Sequence, residues 1–209
     1  MAEAGPLAVS KRMPKAQRRR QLLATAFEIV RSEGTDALTL ARLAERAGVT
    51  KPIAYEHFGT RAGLLAALYR DYEEQQTRAM HAALAAGGRT LDDVASIVSA
   101  AYVDCILSTG TACDDITAAL SAFEETKDFL QSSRDYNIGE LRKAFAPFVK
   151  LPRRRAAAIL AGVLGAADAL SHAAAAGRMS RAEAVGALSR IIIGALRTSP
   201  VPSAARGGR

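Results

Sequence analysis

The amino-acid sequence predicts an all-α protein with an N-terminal three-helix domain, which contains a helix-turn-helix, and a C-terminal helical bundle. Hydrophobic residues make up 49% of the chain but aromatic residues only 5%, and abundant alanine favours closely packed helices over β-sheets. Apolar residues recur three and four positions apart through most of the chain, as on the buried face of a helix. Capping residues, glycines and prolines divide these stretches into about nine helices.

The N-terminal domain is predicted over residues 15–60, after a basic arm of residues 1–14 that is expected to be disordered. Helix 1 is expected over about 15–33, because its apolar residues keep helical spacing and Gly34 follows them.

The helix-turn-helix is predicted from the residues that begin and end helices 2 and 3. Thr39 is suited to cap helix 2, and Gly48 supplies the tight turn. Thr50 is suited to cap helix 3, with Pro52 in its first turn, where a missing N–H costs nothing. A helix held in this way lies in the major groove in many DNA-binding proteins.

The C-terminal domain is predicted over residues 61–197, and the tail 198–209, rich in proline, glycine and serine, is expected to be disordered. Helix 4 begins after Thr60 and continues to about residue 86, a length of roughly 39 Å that links the two domains. The other helices are expected over about 90–107, 113–125, 128–149, 151–176 and 180–197.

The formal charge of +7 is concentrated in the N-terminal third. Residues 1–70 contain twelve Lys and Arg against six Asp and Glu, a net +6, whereas residues 71–209 contain sixteen against fifteen, a net +1. This distribution indicates a polyanionic partner for the N-terminal domain. The alternative is a basic protein whose N-terminus happens to hold a charge cluster.

The order of residues in the helix-turn-helix resembles the TetR (tetracycline-repressor-like) family of bacterial regulators. The resemblance is specific over about residues 15–70 and only architectural beyond them. It implies a homodimeric DNA-binding repressor that leaves a palindromic operator when a small effector binds the C-terminal domain. The residues that carry it are Gly48-Val49-Thr50, Tyr55-x-His57-Phe58, and Arg61 ahead of Leu64 and Leu65.

The resemblance also implies which residues contact the DNA backbone. Family members use the positions of Tyr55, His57 and Arg61 for phosphate contacts, which orient the protein but carry little sequence information. Thr39 and Thr50, at the starts of helices 2 and 3, are also predicted to contact DNA.

Base recognition is expected at the start of helix 3, where Lys51, Pro52 and Ile53 occupy the family's base-reading positions. Lysine donates to guanine, and Pro52 or Ile53 would pack on a thymine methyl group. Ala41 stands where some relatives carry a base-reading arginine, so that contact is absent. The cluster Arg18–Arg20 is either a solvated helix face or a further phosphate or minor-groove contact.

Helices 8 and 9 are expected to form a two-fold, four-helix interface with a second copy, as the family resemblance implies. Small residues would let the helices approach closely, and Ile191–Ile193 is apolar on more than one face. A purely intramolecular core is the alternative. The predicted interface residues are Leu160, Gly162, Val163, Gly165, Ala166, Ala169, Leu188, Ile191 and Ile192.

The middle helices hold the larger apolar side chains, which are core residues unless the helices are splayed as in the family. A splayed bundle would hold a small apolar or amphipathic effector. The alternative is a regulator without an effector, whose C-terminal domain is a dimerisation or protein-docking platform. The predicted effector-binding residues are Tyr102, Cys105, Ile106, Leu120, Phe123 and Tyr136.

No catalytic residue, metal site or cofactor is expected, so a helical-bundle enzyme or carrier is a remote alternative. Cys105 and Cys113 are expected to be free thiols in a reducing cytoplasm. Residues 156–176 have the length of a membrane span, but Asp168, His172 and the many alanines favour a helix buried by protein, and no membrane partner is expected. Asp168 and His172 lie four residues apart and could pair on helix 8.

Overall fold

The computed structural model of the chain describes residues 13–110, 112–150 and 152–197, and this part of the chain is entirely helical, as predicted. The predicted arm and tail lie outside the described residues, apart from Met13 and Pro14. A 3-10 helix, Glu124–Thr126, separates α6 from α7. The α-helices are α1 Lys15–Glu33, α2 Leu40–Arg46, α3 Lys51–Phe58, α4 Arg61–Gly87, α5 Leu91–Thr109, α6 Ala112–Ser121, α7 Lys127–Phe145, α8 Arg153–Ala175 and α9 Arg181–Arg197.

The chain divides into two compact units, one ending at Leu68 and the other beginning at Tyr69, so α4 contributes residues to both. The first unit buries apolar side chains from α1, α2, α3 and the start of α4. Its fully buried side chains include Leu22, Ala26, Ile29, Leu38, Leu43, Ala54, Leu64 and Leu65.

The turn between α2 and α3 is closed by backbone hydrogen bonds at a glycine. Gly48 has a φ of +64°, a left-handed conformation that glycine adopts without steric cost. Its N–H donates to Glu45 O at 3.2 Å and Val49 N–H donates to Ala44 O at 2.9 Å, which is the Schellman arrangement. These local bonds set the angle at which α3 leaves α2.

The two threonines of the helix-turn-helix behave differently. Thr39 caps α2 as predicted, because its hydroxyl accepts from Arg42 N–H at 3.0 Å. Thr50 makes no side-chain cap bond to α3, so the predicted capping role was wrong. Pro52 has no N–H to offer, and Ile53 N–H donates to the Thr50 backbone carbonyl at 3.0 Å instead.

The second unit is built around α5, which packs against α8 and α9. Its boundaries differ from the expected ones at three places. Helix α5 continues to Thr109, α6 ends at Ser121 instead of residue 125, and α7 ends at Phe145 instead of residue 149. The earlier end of α6 follows from Thr126, whose hydroxyl donates to the Leu120 and Phe123 carbonyls. The buried core includes Val94, Val98, Leu141, Phe145, Leu160, Leu188, Ile192 and Leu196.

Within α8, the stretch Arg154–Ala175 is long and apolar enough to cross a membrane by length and composition alone. Core helices of soluble proteins meet the same criterion, and 28% of the most apolar window is buried within this protomer. The exposed remainder of α8 is rich in alanine and glycine, which give little transfer energy into lipid.

Candidate nucleic-acid interface and C-terminal cavity

The outer face of α3 carries the exposed residues Lys51, Pro52 and Tyr55, whose side chain is 53% exposed. The inner face carries Ala54 and Phe58, both of which are buried. This rotation follows from the helical period, because residues three and four apart share a face. The structure therefore presents a lysine, a proline and a phenol together on the helix that follows the turn.

His57 and the end of α3 are attached to α1 through Arg19. The Arg19 guanidinium donates to the His57 backbone carbonyl at 3.0 Å and lies 5.0 Å above the centre of the Phe58 ring. The His57 ring is half-buried, and this burial lowers its pKa. One member of the cluster Arg18–Arg20 thus has a packing role that the sequence pattern did not indicate.

Arg61, predicted to contact phosphate, is engaged within its own unit. Its guanidinium donates to Leu38 O at 2.9 Å and to Thr35 O at 2.7 Å, and it lies 3.8 Å from the exposed Asp36 carboxylate. Arg61 therefore supports the loop between α1 and α2, and its contact with phosphate stays a prediction.

Much of the positive charge in this unit is paired. Arg42 contacts Glu33 and Glu45, and Arg46 also contacts Glu33. Lys51 forms no ion pair within the described part of the chain, and its side chain is exposed. The cation at the start of α3 is therefore available to a polyanion.

Comparisons with known proteins agree with this arrangement. The family model of bacterial regulatory proteins of the tetR family matches residues 22–68. The HTH-type transcriptional activator FasR of Mycolicibacterium smegmatis is 34% identical over 73 residues, which cover 35% of this chain and 33% of FasR. The N-terminal segment of the chain therefore resembles the TetR family. The expected resemblance is thereby confirmed, and this family consists of DNA-binding transcriptional regulators that act as dimers, not of enzymes.

Solved structures show that the likeness in fold extends beyond the matched segment. A tetR-family transcriptional regulator from Streptomyces coelicolor superposes with a TM-score of 0.68 at 19% identity, over 88% of this chain and 82% of that one. A TetR transcriptional regulator from Rhodococcus sp. RHA1 gives 0.67 at 15% identity, over 90% and 100%. At these identities the likeness establishes the fold alone. The matched part of FasR, in turn, is about a third of its length.

The second unit contains a cavity of about 270 Å³ between α4, α5, α6, α7 and α8. Tyr102, Cys105 and Ile106, all predicted to contact an effector, line it. Leu120, Phe123 and Tyr136 do not. Leu120 is fully buried in the core, and Tyr136 is 43% exposed on the outside of α7. The rotation of α6 and α7 about their axes explains this difference.

The cavity also contains residues that sequence reasoning missed. Tyr69, Tyr72 and Glu73 of α4 line it, together with Ser171 of α8. The two tyrosines belong to the apolar face of helix 4. The sequence could have indicated Glu73, because it lies four residues after Tyr69 and therefore on the same face of α4.

Both thiols lie in this cavity as free cysteines. Burial raises the pKa of Cys105 to about 11 and that of Cys113 to about 12, so both are neutral at physiological pH. The Tyr72 hydroxyl is hydrogen-bonded to Cys105 Sγ. Buried neutral thiols of this kind are poor nucleophiles.

His172 pairs chiefly with Asp114, and not with Asp168 as the sequence suggested. Its Nε2 lies 2.5 Å from Asp114 Oδ2 on α6, whereas Nδ1 faces the Asp168 backbone carbonyl at 2.7 Å. The Asp168 carboxylate is 4.0 Å away. The hydrogen bond to Asp114 raises the pKa of His172.

The predicted dimer face divides into an exposed layer and a buried one. Gly162, Gly165, Ala169 and Ile191 are exposed, and Ala166 is half-buried. A groove of about 380 Å³ runs between α8 and α9, with Val163 in its wall. The other predicted interface residues, Leu160, Leu188 and Ile192, are fully buried within the protomer. These three side chains face inward and belong to the core. This corrects the prediction that they form part of the interface.

Proposed function

We propose that this protein is a homodimeric transcriptional repressor that binds a palindromic operator through the exposed face of α3. The observation that carries the proposal is the cluster of Lys51, Pro52 and Tyr55 on the outer face of that helix, in a domain of the TetR family. Lys51, with Pro52 and Ile53, reads base edges, whereas Tyr55 and His57 contact phosphates and set the register. A two-fold dimer would place two such helices on half-sites about 34–36 Å apart.

The dimer uses the surface formed by α8 and α9. Ile191 is 43% exposed in the protomer beside the glycines and alanines of α8, and a large apolar side chain at this position gains by burial in an interface. A second copy related by two-fold symmetry offers a self-complementary partner for such a surface.

Release from the operator follows effector binding in the cavity of the second unit. Helix α4 supports this coupling, because it provides Tyr69, Tyr72 and Glu73 to the cavity wall and Leu64 and Leu65 to the core of the first unit. An effector that prefers one position of α4 would change the separation of the two recognition helices, and operator affinity would fall. As a DNA-binding regulator the protein would act in the cytoplasm.

Selection from a random DNA library with the full chain tests the operator proposal. We expect an inverted repeat whose half-sites are centred about one helical turn apart. Lys51→Ala should relax preference at one base pair per half-site, where a wrong base otherwise costs about 1–3 kcal/mol. The matched control is Lys15→Ala, because Lys15 is exposed in the same unit but paired with Glu56. Selection of no repeat, or equal relaxation in both variants, would contradict the assignment of α3.

Activation is the second candidate, because the relative FasR is an activator by name. A transcription assay on a promoter that carries the selected operator separates the two modes. A repressor lowers transcript level as protein is added and an activator raises it, whereas binding to DNA is common to both.

A further inference from the structure

The carboxylates that line the cavity differ in how their charge is balanced. Glu140 contacts Lys143 and His81, and both Asp114 and Asp168 contact His172. Glu73 instead accepts hydrogen bonds from two neutral groups, the Ser133 hydroxyl and the Asn137 amide at 2.9 Å.

No lysine, arginine or histidine in the described part of the chain forms an ion pair with Glu73. Both recorded hydrogen bonds reach its Oε1 atom. An ionised carboxylate has about four acceptor positions, so Glu73 retains acceptor capacity on the cavity wall. The Glu73 carboxylate is therefore held by neutral donors and not by a cation of the described residues.

Three tyrosines share the cavity with this carboxylate. Tyr69, Tyr72 and Tyr102 line the same cavity as Glu73. Ring faces carry negative potential and attract cations within about 6 Å, most strongly where water is excluded. A cavity lined by a carboxylate and three phenol rings favours a positively charged group with an apolar body.

The Ser171 hydroxyl is a second indication that the cavity binds a polar group, because it lacks a hydrogen-bond partner among the described residues. The Ser171 side chain lines the cavity and is 1% exposed. Buried hydroxyls are almost always hydrogen-bonded. A bound molecule with one acceptor or donor group would supply the bond.

Arg134 is the arginine in the cavity wall, and its charge opposes that of Glu73. It is exposed, however, and it also lines a second, more open cavity beside α6 and α8. Water screens such an exposed charge more strongly than the half-buried carboxylate.

We propose that the cavity binds a monovalent organic cation with an aromatic or aliphatic body, with its charge against Glu73 and its body against the three tyrosines. This inference rests on the proposed function, since it names the chemical class of the effector. The volume of about 270 Å³ exceeds that of a cavity of roughly 150 Å³ that binds benzene, so a small ligand with one substituted ring fits.

Three small probes test the charge preference directly. Benzyltrimethylammonium is the cation, 2,2-dimethylpropylbenzene is its neutral isostere with carbon in place of nitrogen, and phenylacetate is the anion. Binding to the full-length protein is followed by tyrosine fluorescence, because the chain has five tyrosines and no tryptophan and three of the five line the cavity. We expect the cation to bind about tenfold more tightly than the isostere.

Variants on α4 and α7 locate the charge. Glu73→Gln should weaken binding of the cation about tenfold and leave binding of the isostere unchanged, because the amide keeps the shape but not the charge. Glu74→Gln is the matched control, since Glu74 is the next residue of α4, exposed and paired with Arg78. Arg134→Gln should leave cation binding unchanged or tighten it.

The outcomes separate this inference from the proposed function. Equal binding of cation and isostere, or tighter binding of phenylacetate, would overturn the charge assignment but leave the cavity as an effector site. Failure of all three probes to bind a protein that still binds its operator would overturn the inference and leave the operator proposal intact. The comparison of probes on the wild-type protein decides the question even where Glu73→Gln fails to fold.

Discussion

Gly63, in the first turn of α4, is a position where one added methyl group should disturb the N-terminal unit. A Cβ atom there would lie 2.2 Å from the Phe58 carbonyl oxygen and 3.4 Å from Thr60 Oγ1. The Phe58 oxygen is held in place because it accepts from Thr60 N–H at 2.8 Å. Gly63→Ala therefore forces the end of α3 away from the start of α4.

The expected cost is a net destabilisation of about 2 kcal/mol. Overpacking costs up to about 3 kcal/mol, and the upper end applies because the obstacle is backbone and not a flexible side chain. Alanine recovers about 1 kcal/mol of helix propensity relative to glycine. A net loss of about 2 kcal/mol corresponds to roughly 30-fold more frequent opening of the unit.

Gly139→Ala is the matched control, because a Cβ at Gly139 inside α7 would meet no atom within 4 Å. The same chemical change should there stabilise the protein by about 0.5–1 kcal/mol. Amide hydrogen exchange of full-length protein measures both effects. We expect about 30-fold faster exchange in peptides from residues 22–30 and 64–68 of Gly63→Ala, and unchanged exchange in α5. Unchanged exchange in the N-terminal peptides, or equal destabilisation by the two substitutions, would refute the argument from close approach.

Three further predictions follow from the contacts. Arg61→Ala should destabilise the N-terminal unit by about 2 kcal/mol in urea unfolding, because the Leu38 and Thr35 carbonyls lose charged donors; unaltered stability would show that these bonds contribute nothing. Ile191→Asp should give monomers by light scattering, whereas Leu107→Asp, at a similarly exposed leucine on α5, should not; a monomeric wild type at micromolar concentration would contradict the proposed dimer. The raised pKa of His172 predicts a stabilisation that is fully present below the unfolded value of about 6.5 and is lost as pH rises through the higher folded value. His172→Gln should remove this part of the pH dependence of unfolding, and equal pH profiles for both proteins would rule out the pairing with Asp114 as its source.

The local features of this protein could be predicted from the sequence, because short-range interactions produce them. Thr39 caps α2 through a bond to a residue three positions away, and the glycine turn closes through bonds that span at most five residues. The outer face of α3 follows from the helical period alone. The resemblance to the TetR family depended on the same short segment, in which residue type and spacing carry the signal.

Tertiary structure alone decided where the longer-range partners lie. Arg61 bonds carbonyls 23 and 26 residues away, and no local pattern marks such acceptors. Whether Tyr102 or Leu120 meets the cavity depends on the rotation of each helix about its axis, which is set by packing against several neighbours at once. The same packing buries Leu160, Leu188 and Ile192 while it leaves Ile191 exposed, and it brings Glu73 of α4 to Ser133 and Asn137 of α7. Helical spacing determines which residues share a face, but the neighbouring helices determine whether that face is core, cavity or surface.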